Sequence, residues 1–428
     1  MGMPSATLEN LPLELYMQIL LNVLDLHSLR SIALSSRFFF QAYLLVRNEA
    51  LQNVLNTQYD GLVDITEAIA AVRSKRLHAS RKEDKESIIA LLDARRRSDE
   101  IRCIKKQSSA TLPLPYRPTD LKELLELLEL HQIAVSLLND FSQNASRPHW
   151  IGPATWSSGI LPLELSKTEK KRYFRAFYRL QTYGNLFSAG ENPVDIPSPG
   201  YPRYWDKCFS EDEVWRLFFG PFAPWEVEEL GCLWQYFHDR NGERYYEIAN
   251  DLMQYGRNPV SILPEHLRVL PNGLVLDCDD LVVDDLDIRE TLASLGPAFL
   301  FKLLQEEDYM TRRNLLLANA SRTFLCFPVV SPRGISVKLP LLYPADRFNF
   351  GFDVSGFKKF VSTLPDIEQP NAAWRNIWID YMQEDEMLFE EMFITGHQGP
   401  RWRWGYALWD SERLADWGAP LGWSDPGN

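Results

Sequence analysis

Apolar positions in residues 8–55 fall into three short runs, Leu11–Leu24, Leu29–Leu34 and Phe38–Leu55, parted by polar breaks. In the first, Leu11, Leu15 and Ile19 recur at i, i+4 and i+8, and Leu20, Val23 and Leu24 widen the stripe, which is the period of an amphipathic helix. Asn10 is an N-cap candidate, Pro12 is tolerated in a first turn, and Glu14 suits the positive end of the helix dipole. Asp25 or Ser28 can cap a second helix, and "SRFFFQAYLLVRNEALQNVL" predicts a third.

Residues 60–106 read as helical, amphipathic and basic. "QSSATLPLPYRP" at 107–118, with three prolines, breaks that pattern and is the preferred boundary. Thr119 or Asp120 then caps a strong amphipathic helix, "LKELLELLELHQIAVSLLNDF", too short for a sustained coiled coil. Further helices are expected at 167–187, 210–219, 224–238, 242–255, 284–307, 353–363 and 371–394. Asn272-Gly273 within "RVLPNGLVL", and the β-rich runs around Pro332-Arg333-Gly334, predict two small hairpins. The organisation is therefore mainly α: a three-helix unit in 1–55, a basic helical connector and Pro-containing linker in 56–118, and a mostly helical C-terminal domain in 119–428 with one or two small β-hairpins.

Composition adds constraints. With 45% hydrophobic and 24% charged residues, the chain can bury a substantial core. No apolar run reaches the ~18 residues that span a bilayer, and no cleavable leader is visible, so a cytoplasmic or nuclear protein is expected, without membrane partners. The net charge of −13 argues against a general nucleic-acid binder. Residues 73–106 run the other way, with twelve Lys or Arg against six Asp or Glu, most simply the solvated face of connecting helices.

Catalytic patterns are missing. The sequence lacks a Gly-rich phosphate loop, a G-x-S-x-G elbow and an H-E-x-x-H pair. The five cysteines are scattered with no C-x-x-C, and Cys232 with His238 makes only two metal ligands. In "DCDDLVVDDLDIRE", Asp277 and Asp279 start like a calcium loop, but Leu281 holds the third ligand position. No cofactor is expected. Trp402, Trp404, Trp409 and Trp417 can anchor a partner or stitch the chain's end to its own core, and core packing is the favoured reading.

Taken together, "LENLPLELYMQILLNVLDLHSLRSIALSSRFFFQAY" resembles an F-box. The family pattern falls on Leu11, Pro12, Glu14, Leu15, Ile19, Leu20, Leu24, Asp25, Leu29, Leu34, Ser36, Arg37 and Phe39, over about forty residues; Ser35 departs from it, in a slot commonly held by valine. "RAFYRLQTYGNLF", "FAPWEVEELGCLWQYF" and "RWGYALWDSERLADWG" look like segments of a large F-box family of filamentous fungi. The resemblance implies a non-catalytic substrate receptor of a Skp–cullin–F-box ubiquitin ligase. Its F-box would bind a Skp-type adaptor, and through it a cullin scaffold, by Leu11, Pro12, Leu15, Ile19, Leu20, Leu24, Leu29 and Leu34. Its C-terminal domain would hold a protein target. The alternatives are an adaptor-bound F-box protein with a structural or trafficking role outside a ligase, and an enzyme with its site in the C-terminal domain.

Overall fold

The computed structural model describes residues 11–59, 65–107, 118–188, 190–191, 207–253, 285–320, 345–348, 350, 353–380 and 399–420. The chain is mainly helical, and no strand occurs among the described residues. The two stretches expected to form hairpins lie outside them, as do Asn10, residues 277–284 of the acidic cluster and residues 381–394.

Three helices open the fold: α1 (Leu13–Leu21), α2 (Leu26–Ser35) and α3 (Arg37–Tyr59). Pro12 is the N-cap of α1 and supplies no side-chain bond, whereas the Asp25 carboxylate caps α2 by accepting from the Ser28 amide at 2.8 Å. That bond also holds the Asp25 pKa below its ordinary value. After α4 (Ile65–Ser74) and α5 (Lys85–Gln107) comes α6 (Leu121–Asn144), capped by Asp120, one of the two candidates the sequence offers.

The centre of the molecule is α7 (Lys167–Phe187), entered through a capping box in which Ser166 and Glu169 satisfy one another's backbone amides. Its Tyr173, Phe174, Phe177, Tyr178, Leu180, Tyr183 and Phe187 are all buried. Arg172 and Arg179 are buried along with these rings, so the helix is covered on its polar side as well as its apolar one, and α4, α6 and α8 (Pro224–Met253) pack around it.

The pattern had suggested two helices, 224–238 and 242–255, where α8 is one. The polar Arg240-Asn241 step does not break it because both side chains are used: Arg240 pairs with Asp140 at 2.6 Å, and the Asn241 amide donates to the Phe237 carbonyl at 2.9 Å. The opposite happens at 284–307, expected as one helix. It divides into α9 (Asp285–Ser294) and α10 (Pro297–Gln305) at Gly296, whose φ of +90° favours glycine. Pro297 opens α10, and the Gln181 side chain accepts from the Ala298 amide at 2.8 Å. Then follow α11 (Tyr309–Ala320) and α12 (Val354–Thr363).

One apolar core runs from Tyr16 in α1 to Leu414 near the chain's end, with a second, smaller cluster around Tyr245, Leu292, Phe299 and Leu316. The stretch read as a connector contributes to the first: residues 66–72 of α4 are buried, and Tyr59 at the end of α3 donates to the Leu127 carbonyl at 3.0 Å. The tryptophan-rich end is core as well, with Trp402, Trp404 and Trp409 buried and Trp417 against Trp156 at 5.2 Å. Asn371 stitches it down, donating to the carbonyls of Tyr406 and Trp409 and accepting from the Trp374 amide.

On α8 this terminal segment closes over Glu228, a fully buried carboxylate that accepts from the Trp402 indole at 2.6 Å and the Tyr406 hydroxyl at 2.7 Å. Burial outweighs those bonds and lifts its pKa from 4.5 to about 7. The folded state therefore holds this proton more tightly than the unfolded chain. The Glu228 contribution is full below pH 4.5 and lost as pH rises to about 7, a decline of about 3 kcal/mol. Glu228→Gln is expected to remove that slope, checked by urea denaturation of both proteins at pH 5, 6, 7 and 8.

Gly231, one turn further along α8, lets the Trp402 ring lie on the helix backbone. A Cβ there would sit 2.3 Å from the indole. Because Glu228 pins that ring, it cannot swing aside freely, and Gly231→Ala is expected to destabilise the fold by about 1–3 kcal/mol. A thermal melt checks this.

Candidate adaptor-docking surface

Helices α1–α3 pack on one another and form the N-terminal end of the main apolar core. Leu20, Val23, Leu29, Ala33, Phe39, Ala42 and Val46 are buried in it, and the Tyr16 ring meets Phe39 edge-on at 4.8 Å and stacks on Phe38 at 6.1 Å. The Asn53 side chain on α3 donates to the Leu21 carbonyl at 3.1 Å, fixing the end of α1. Among the described residues outside this unit, only Leu125, Val135 and Tyr246 are large apolar side chains left exposed. Within it there are nine: Leu13, Leu15, Ile19, Leu24, Leu34, Phe38, Phe40, Leu44 and Leu45.

The eight residues picked from the sequence divide accordingly. Pro12, Leu15, Ile19, Leu24 and Leu34 are exposed, and Leu11 is half-buried. Leu20 and Leu29, at 0% and 1% exposure, have no surface to offer, and their assignment to docking is corrected. Each sits on the inward face of its helix and supports the outward face from beneath. Ser35 is exposed and donates to the Ile32 carbonyl at 2.7 Å, so no packing slot is left unfilled by the missing valine.

Leu13, Phe38, Phe40, Leu44 and Leu45 were not picked out. The signal for the last four was present in "RFFFQAYLL": successive helical residues project ~100° apart, so three consecutive phenylalanines cannot all face one core. Phe39 points inward, while Phe38 and Phe40 stay 47% and 44% exposed on either side.

The chemistry of the surface is that of an apolar contact face, with Glu14, Arg30 and Arg37 exposed among its leucines and phenylalanines. Among the described residues, no group of three or more His, Cys, Asp or Glu is placed to hold a metal ion. Cys232 is buried, with a thiol pKa raised by burial, and the His238 ring bonds to Asp239 and Gln235 beside it in α8. No described helix is long and apolar enough to cross a membrane. Comparison with models of known protein families, with characterised proteins and with solved structures yields no match to this chain.

Proposed function

We propose that the chain is the substrate receptor of a Skp–cullin–F-box ubiquitin ligase, with α1–α3 as the F-box and the remaining helices as the target-binding body. The observation that carries this reading is the concentration of exposed apolar side chains on the same three helices whose sequence follows the F-box pattern. A water-soluble surface with that many neighbouring leucines and phenylalanines calls for a cover. Burying one such side chain is worth ~1.5–3 kcal/mol, so a handful can hold an adaptor after the costs of association.

The proposed action is tethering. The adaptor and cullin hold a ubiquitin-charged enzyme close to the bound target, raising the effective concentration of target lysines to the order of millimolar. Proximity is then the catalytic device, and no residue of this chain transfers ubiquitin.

Co-purification of the tagged full chain with a Skp-type adaptor and a cullin tests the reading. Capture of both is the expected result. Capture of the adaptor without a cullin would favour a role outside a ligase, and capture of neither would overturn the proposal.

A further inference from the structure

A cavity of about 610 Å³ opens between the C-terminal end of α4, the middle of α6, the C-terminal half of α7 and the first turn of α10. This lies within the ~300–1,000 Å³ range of ligand sites. Val72, Leu130, Ile133 and Phe299 give it an apolar floor. Its buried amides are already committed: Gln181 bonds to Asn185 and the Ala298 amide, and Asn185 donates to the Ala71 carbonyl at 2.9 Å. Selective polar recognition is therefore left to the mouth.

Two cations stand there. Most of the basic block whose side chains are described is neutralised within the molecule: Arg73 pairs with Glu123 at 2.6 Å, Arg81 with Asp84 at 2.6 Å, Lys85 with Glu213 at 3.0 Å and Arg96 with Asp93 at 2.7 Å. Lys75 and Arg76 are exposed, line the cavity and have no carboxylate partner among the described residues. Of the three lining carboxylates, Glu126 reaches Lys122 at 3.8 Å and Glu191 pairs with Lys302 at 2.5 Å, which leaves Glu129 as the one without a described cation. The cavity thus offers two free positive charges against one negative, above a greasy floor.

We propose that this cavity is the target-recognition site and that it takes an extended peptide segment pairing an acidic residue with an apolar neighbour. The acidic side chain reaches Lys75 and Arg76, and the apolar one descends onto Ile133 and Phe299. The inference rests on the substrate-receptor reading, which it deepens, but it uses residues outside α1–α3 and stands or falls separately.

The test uses the full-length chain and fluorescein-labelled hexapeptides carrying Asp-Leu, Asp-Phe, Glu-Leu or Glu-Phe at the centre of an Ala/Ser frame, read by anisotropy. Matched peptides with Lys for the acidic residue are the controls. The acidic set is expected to bind at least tenfold more tightly than the Lys set. Lys75→Glu with Arg76→Glu should erase that preference, and Ile133→Trp, which fills the floor and spares the charges, should weaken binding tenfold or more. Equal binding of both sets, an acidic preference that survives the charge reversal, or an affinity unchanged by Ile133→Trp overturns the proposal. Peptide selectivity in a chain that captures no adaptor would uphold the cavity and sink the receptor reading; adaptor capture without selectivity would do the reverse.

Discussion

Glu67→Ala is expected to remove about 3–5 kcal/mol of folding stability, enough to unfold much of a population whose total stability is ~5–15 kcal/mol. Glu67 lies on α4, 3% exposed, and accepts from the Arg179 guanidinium at 2.8 Å while standing 3.6 Å from that of Arg95. Both arginines are buried, and both lie over the Phe222 ring, at 3.8 Å for Arg179 and 4.7 Å for Arg95. Deleting the carboxylate leaves their charge short of a counter-ion where water cannot reach.

The penalty is large because the cluster is balanced. Along one face of α7, Arg172, Arg175 and Arg179 meet Asp410, Glu229, Glu226 and Glu67 in turn, with Arg95 from α5 at the far end. Four cations face four carboxylates. Burial works against the Glu226 charge, but Arg175 and Arg179 outweigh it and hold its pKa down at about 2. The Glu226 contribution is full above the ordinary carboxylate value and fades only as pH falls toward 2, whereas burial pushes the neighbouring Glu229 carboxyl above its ordinary value. Glu67→Gln keeps the shape and loses the charge, and it should fall between wild type and Glu67→Ala in urea denaturation. Adding Arg179→Met to Glu67→Gln should restore part of the loss, since an uncompensated charge, rather than a missing contact, is the dominant cost. Three indistinguishable denaturation midpoints for wild type, Gln and Ala would show the cluster to be solvated.

That row marks the limit of what the sequence made legible. The helix that opens after Asp120 follows from its period and cap, and the helix expected at 167–187 is found with those bounds. Arg172, Arg175 and Arg179 look like an ordinary charged face when read alone. Only the arrival of α4 and α8 from distant parts of the chain turns that face inward, and no local pattern carries this. The basic block behaves similarly. Its surplus of cations was plain, but Arg73 and Lys85 are spent on Glu123 and Glu213, fifty and more positions away, and which cations stay free depends on that pairing. The exposed apolar side chains of α1–α3 were more readable, since exposure in a three-helix unit follows from helical phase. The errors there are errors of phase: Leu20 and Leu29 belong to the inward stripe, and Phe38 and Phe40 to the outward one.

Exposure also decides which variants can test the adaptor contact. Leu20→Asp would bury a charge in a fully covered site, so lost binding would report only a damaged core. Leu24 and Leu34, each 65% exposed, can take aspartate without disturbing the packing beneath them. In the proposed complex each gives up ~1.5–3 kcal/mol of apolar burial, and each substitution also sets a carboxylate against an apolar partner surface. The double variant Leu24→Asp/Leu34→Asp is expected to bind the adaptor at least a hundredfold more weakly, with an unchanged thermal melt. Leu125→Asp with Val135→Asp, at exposed apolar positions of α6, adds the same charge elsewhere and should leave affinity within about twofold. Titration calorimetry against purified adaptor separates the two. Equal affinities for both double variants would mean that α1–α3 meet nothing through their leucines, whatever else the chain binds.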